Sequence, residues 1–310
     1  FFVMGVVVPL VVISVFAVAL YTRAYGSIDM PGTSIHLWNV IMVTSPQLNL
    51  LNIIMQNMLL FTILYSFAYI LLYVEPGSSL FFPLKFNPKY PKNTLIIREV
   101  YRSYRGILIC SIMEYITNIL HNYNIFPIQG DNEFIKTYFN SQDIGFPLLV
   151  ILFGIVYLWG DMHFYWTHRM LHTKWFYKSV HKEHHESYNP DPWSGLSMHW
   201  FESAVYFSSA FLLSPFVPLW ISSLLYKGLI IFPLEGHSGY GSWNMEGSHN
   251  HYIHHAKFNW NYGSSPLWDH LMGTNYSDKN SNRQTEKEAY RQAALVGCQI
   301  SKGIKNETKK

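Results

Sequence analysis

The sequence predicts an all-α integral membrane helical bundle, with about four spans, a short or re-entrant hairpin and a cytosolic histidine-rich metal-binding cap. Three observations carry that expectation. Charged residues make up only 13% of the 310, about half the share usual in soluble proteins, while the hydrophobic 49% falls in blocks. Twelve of the 15 histidines lie between His163 and His255. Eight of these form three boxes: HRMLH (His168, His172), HKEHH (His181, His184, His185) and HYIHH (His251, His254, His255). The 17% of aromatic residues suits a membrane interface. A net charge of +3 is too small to argue for nucleic acid, and none is expected. A basic excess on one membrane face fits it better. Cys110 and Cys298, far apart, make no disulfide framework.

Each element follows in order. Residues 1–20 are continuously apolar and long enough for a first span, Pro9 being tolerable there. A cleaved signal peptide is the competing reading, and a piece preceding Phe1 is expected because the chain does not open on Met. Gly26, Pro31, Gly32 and Pro46 punctuate a loop over 21–47. A second span covers about 48–74, where Asn49, Asn52 and Gln56 form a polar stripe suited to helix–helix hydrogen bonds. The run 84–105, with Lys85, Lys89, Lys92, Arg98, Arg102 and Arg105, reads as a cytosolic interfacial segment or simply a solvated face. A short third apolar helix over 106–120 contains Glu114, costly there unless it faces protein or water. Residues 121–143 read as loop. A fourth helix, from about 144 to 167, runs straight into the first box. The apolar stretch 201–234, broken by Pro215 and Pro218, suggests a hairpin of two short tilted helices or a re-entrant pair. The segment after the third box should pack under the histidines, and residues beyond about 278 form a polar tail. The expected division is therefore 1–94, membrane spans and an interfacial loop; 95–276, a catalytic domain; and 277–310, the tail.

The spacing of the boxes points to metal. On a helix, residues three and four apart share a face, so H-x3-H and H-x2-H-H aim several imidazoles at one point. Eight are too many for one tetrahedral ion but suit two metals. Neutral imidazoles favour iron, zinc or copper over magnesium or calcium. No G-x-S-x-G or phosphate loop lies nearby. A hydrolytic zinc site would explain the ligands but not the membrane setting; a pair of irons activating dioxygen against a C–H bond explains both. Asp161, two turns before His168, could orient a histidine ring from behind or pair with Arg169. His163 lies off that face and reads as a bystander. Lys174, Lys178 and Lys182 could offer a docking face to an acidic partner, or be merely solvated. Tyr188, Trp193, Trp200 and Trp260 are candidates for lining a lipid channel.

The order and spacing of the boxes resemble the fatty acid hydroxylase/sterol desaturase superfamily of membrane di-iron oxygenases. Supporting matches are Asp161-x-x-x-Tyr165-Trp166-x-His168-Arg169, NPDPW (189–193), EGHSGY (235–240) and NYGSSPLWDHLMGT (261–274). The resemblance covers about 95–276. It implies that the eight box histidines bind two irons (zinc being a possible substitute), that His237 is a further ligand and that His199 is a possible one. His249 is placed behind the ligands rather than among them. It further implies O2 as co-substrate and electrons from NAD(P)H, passed through a reductase and a cytochrome b5-type donor. The lipid acted on would be a sterol or long-chain lipid, hydroxylated or desaturated, and the membrane that of the endoplasmic reticulum, another organelle remaining open. The alternative is a non-catalytic membrane subunit of a larger assembly that keeps a structural di-metal site. A metal transporter would place ionisable groups at mid-membrane on several spans, whereas these histidines cluster at helix ends.

Overall fold

The computed structural model describes residues 50–126, 145–241 and 246–276. Among them all regular structure is helical, apart from one isolated antiparallel bridge between Lys85 and Tyr240. The expected first span and polar tail lie outside the described residues. The long helices are Leu50–Tyr73, Asn93–Asn122 and Gly145–Leu171. The apolar 201–234 stretch forms two short helices, Trp200–Leu213 and Leu219–Ile231, broken by a 3-10 turn at Ser214–Phe216. Leu50–Tyr73 and Leu219–Gly236 are long and apolar enough to cross a membrane.

The third helix corrects the sequence reading. It starts at Asn93, inside the basic run, and continues to Asn122. Arg102 and Arg105 of that run are consumed in ion pairs, as described below. Lys85 is buried, its ammonium 5.2–5.4 Å from the ring centres of Tyr73, Tyr90 and Tyr240. Burial lowers that ammonium to about 8.

The chain forms two compact units. Of the described residues, the first unit holds 50–61, 107–126, 145–163 and 203–231; the second holds 62–106, 164–202, 232–241 and 246–276. In the first, Leu213, Val217 and Ile221 make an apolar core packed by Leu152, Val156, Trp159, Trp220 and Leu225. It also buries a polar cluster. Asn57 donates to Ser111 at 3.1 Å and to Glu114 at 2.9 Å, and Lys227 Nζ reaches both Glu114 oxygens at 2.6 and 2.7 Å. Glu114 thus has the partners that an apolar helix demands of it. Asn57, one residue beyond the expected stripe of Asn52 and Gln56, is buried and makes such helix–helix bonds to Ser111 and Glu114.

Leu50–Tyr73 is apolar on both faces. Leu51, Met55, Leu59, Ile63, Phe67 and Ile70 are all exposed along one face, while Ile53, Phe61, Tyr65, Ala68 and Leu72 are buried with Asn57 on the other. On Asn93–Asn122, Ile97, Tyr101, Leu108, Ile112 and Ile116 are exposed, and Ser103, Ser111, Glu114, Thr117 and Asn118 are buried.

Candidate metal centre

All nine expected ligands lie in the second unit. They converge as two groups, His168, His172, His181, His185 and His254 in one, and His184, His237, His251 and His255 in the other. Within each group the candidate ligand atoms lie within 4.8 Å of one another. The division follows the spacing. Each i, i+4 pair (His168 with His172, His181 with His185, His251 with His255) shares a group. The i+3 members, His184 and His254, cross to the opposite group.

Local structure explains how each box presents its rings. The first box ends the Gly145–Leu171 helix, and His172 follows directly, its amide still bonded to the His168 carbonyl at 3.1 Å. The second box is not an α-helix but a six-residue 3-10 turn, His181–Glu186. Helix Asn93–Asn122 clamps that turn from outside: Arg102 binds Glu183 at 3.0 Å and Glu186 at 2.8 Å, and Arg105 pairs with Glu183. The third box lies on Glu246–Lys257. Just beyond it Phe258 takes φ 63°, rare for a bulky residue, and stacks on His185 with ring centres 4.9 Å apart.

Second nitrogens turn outward and fix the rings. His168 Nδ1 donates to the Tyr262 carbonyl at 2.7 Å, His254 Nδ1 to Trp260 at 2.7 Å and His184 Nδ1 to Ser197 at 3.3 Å. His181 Nδ1 donates to Glu202 at 2.7 Å, and His237 Nδ1 meets Ser194 Oγ at 2.9 Å. Asp191 of NPDPW caps the turn that carries Ser194, accepting the Trp193 amide at 2.8 Å. An imidazole that gives its Nδ1 proton outward keeps a bare lone pair on Nε2.

Those lone pairs face one another. In the five-histidine group, Nε2 atoms of His172, His181, His185 and His254 approach at 3.0–3.2 Å. In the four-histidine group, His251 Nε2 is 2.8 Å from His237 Nε2 and 3.2 Å from His255 Nε2. Converging lone pairs repel unless a cation lies between them. Two imidazole nitrogens at about 2.0–2.1 Å from one ion stand about 3.0 Å apart at a right angle and about 3.4 Å at the tetrahedral angle. The observed separations suit ligands of a shared metal. Burial also keeps the rings neutral, pushing His168 down to about 4, His184 to about 3 and His172 to about 2. The remaining six sit well below the usual histidine range for the same reason. Neutral, rigid nitrogen donors fit a pair of transition-metal ions.

Residues 153–274 match the fatty acid hydroxylase family, a stretch that contains all nine histidines. Over this stretch the chain is similar to the fatty acid hydroxylase/sterol desaturase superfamily. Within the superfamily, a Delta(7)-sterol 5(6)-desaturase of Aspergillus fumigatus is 27% identical over 72% of this chain and 64% of its own length. A candidate methylsterol monooxygenase of Dictyostelium discoideum is 31% identical over 46% of this chain and 56% of its own. Human fatty acid hydroxylase domain-containing protein 2 is 28% identical over 53% and 57%. The chain therefore spans between 56% and 64% of the length of these superfamily relatives. No solved structure matches it.

Other positions read from the sequence fall outside the two groups. His199 is partly exposed and accepts the Phe201 amide at 3.3 Å. His249 is buried against Phe86, ring centres 5.4 Å apart. Asp161 is buried in the first unit, and His163 there bonds Ser208 at 3.0 Å. Tyr188 and Trp200 are exposed; Trp193 is buried among Tyr65 and Tyr69; Trp260 packs on Tyr276. Lys174, Lys178 and Lys182 are exposed. Sequence reading missed Glu202 and Asp269. The latter holds the 261–274 loop by accepting from the Tyr262 and Gly263 amides at 2.9 and 2.8 Å and from Thr274 at 2.7 Å. An acidic residue opening the apolar run Phe201–Leu213 was the available signal for Glu202.

Proposed function

We propose that the chain is a membrane di-iron oxygenase that hydroxylates or desaturates a sterol or long-chain lipid. The observation that carries this reading is the five-and-four convergence of largely buried imidazoles at ligand separations. His168, His172, His181, His185 and His254 would hold one iron, and His184, His237, His251 and His255 the other. Bound iron of this kind supplies the redox chemistry that activates dioxygen toward an unactivated C–H bond. The protein's own part is to keep nine ligands deprotonated, to present eight of them from the end of Gly145–Leu171, the His181–Glu186 turn and Glu246–Lys257, with His237 from a fourth segment, and to shield them from bulk water. Which C–H bond reacts depends on its position to within about an ångström.

The named relatives, a sterol desaturase and a candidate methylsterol monooxygenase, support a sterol or related lipid as substrate. The exposed apolar faces of the long helices, the buried polar groups of Asn93–Asn122 and the two helices long enough to cross support a bilayer setting; the proposed arrangement has about four spans, with the histidine cap on the cytosolic side. Electrons from NAD(P)H would arrive through a reductase and a cytochrome b5-type donor, with exposed Lys174, Lys178 and Lys182 as its docking face. The membrane would be that of the endoplasmic reticulum, and residues 95–276 the catalytic domain.

The test is oxygen uptake by detergent-purified protein supplied with reductant, donor and a sterol-containing lipid mixture, with product mass followed in parallel. An oxygenase gives lipid-dependent uptake and a product heavier by one oxygen or lighter by two hydrogens. Uptake that persists unchanged in His184→Ala would contradict the assignment.

A further inference from the structure

Glu202 differs from every other group described behind the nine histidines. It lies in the first turn of Trp200–Leu213, is 4% exposed, and accepts the His181 Nδ1 proton on Oε1 at 2.7 Å. Its second oxygen, Oε2, is buried without a hydrogen-bond partner, so the carboxyl group is committed to His181. The remaining outward bonds end on neutral oxygens: the carbonyls of Tyr262, Trp260 and Ser197, and the hydroxyl of Ser194. Among the bonds described, a carboxyl group therefore backs the five-histidine group, whereas the four-histidine group has a carbonyl and a hydroxyl. Burying a carboxyl group at the head of an apolar helix is costly without return. A carboxylate behind a ligating imidazole fixes the ring and strengthens nitrogen donation to the metal.

We infer that Glu202 is a positioning residue that strengthens metal retention in the five-histidine group and leaves the four-histidine group unaffected, so that the two metal positions are unequal. The inference rests on the two-metal reading above. It concerns His181 alone among the ligands, since His181 is the ring Glu202 holds. Tightening one position by an anion while the other leans on neutral dipoles gives the pair a built-in order of filling and of release.

The experiment is titration of the metal-stripped full chain with Co2+, followed by visible absorption and by competition with a chelator. Glu202→Gln is nearly isosteric and keeps an acceptor for His181, but removes the charge. The wild type is expected to take up two Co2+ per chain. Glu202→Gln should bind one with unchanged affinity and one about 10- to 100-fold more weakly, with an altered ligand-field band for the weakened site only. Should this variant fail to fold, Glu202→Asp, which keeps the charge on a shorter arm, should show the same one-site weakening to a smaller degree. Equal weakening of both ions, or affinities and spectra identical to wild type, would overturn the role of Glu202 while leaving two metals per chain. A folded wild type that takes up no Co2+ would overturn the two-metal reading itself, and this role with it.

Discussion

His184 is the residue whose loss is most informative, because it leaves its own box to join the His237, His251 and His255 group. His184→Ala is predicted to lower bound metal by about one ion per chain and to abolish turnover, measured by elemental analysis beside product formation. The buried histidines also set an acid limit. An imidazole in the unfolded chain protonates near its ordinary 6.5, whereas His168 resists until about 4 and His184 until about 3. Between those values the unfolded chain binds more protons, so falling pH favours unfolding. The metal-free protein should hold its stability above pH 6.5 and lose it progressively toward pH 4, visible as a falling melting temperature. A melting temperature that stays flat over this range would contradict neutral burial of the rings. The eight box histidines were legible because 3- and 4-residue spacing is itself a statement of geometry. Which of them share a group was not, since the crossing of His184 and His254 depends on how separate elements face each other. Glu202 carried a signal, an acid heading an apolar run, but its role behind His181 was not legible for the same reason: its partner is 21 residues away.

At the scale of elements, the second box carries the clearest correction. Its H-x2-H-H spacing reads as α-helix, yet His181–Glu186 is a 3-10 turn, tighter and poorer in backbone bonding. Such a turn needs outside support, which Arg102 and Arg105 provide through Glu183 and Glu186. The basic run looked like a membrane-facing charge pattern because sequence does not reveal which arginines meet a carboxylate. Arg102→Ala should destabilise the fold by roughly 2 kcal/mol, as expected for a charge-assisted hydrogen-bonded pair shielded from solvent. It should also reduce metal retention although Arg102 touches no ligand. Denaturant titration and metal content check the two effects separately. His237, by contrast, was reached only through the resemblance of EGHSGY. No periodicity marks a lone histidine after the short Pro233–Gly236 helix.

Across the described residues the telling feature is the outward apolar face of the long helices, joined on Asn93–Asn122 by polar groups turned inward. The all-helical class followed from composition and apolar blocks, and two of the expected apolar helices are long enough to cross a bilayer. Composition could not give the Glu114–Lys227 pair, because Lys227 is the one charged residue of a mostly apolar helix. Glu114→Ala strands that part-buried ammonium and should cost about 3 kcal/mol, whereas Glu114→Leu with Lys227→Leu should recover much of it. Unfolding in detergent would measure both. The central claim, that nine histidines hold two metals, is tested most directly by the metal-to-chain ratio of the purified protein. Two ions per folded chain, predominantly iron, is the predicted result. A well-folded preparation holding no metal, or never more than one ion per chain, would contradict it.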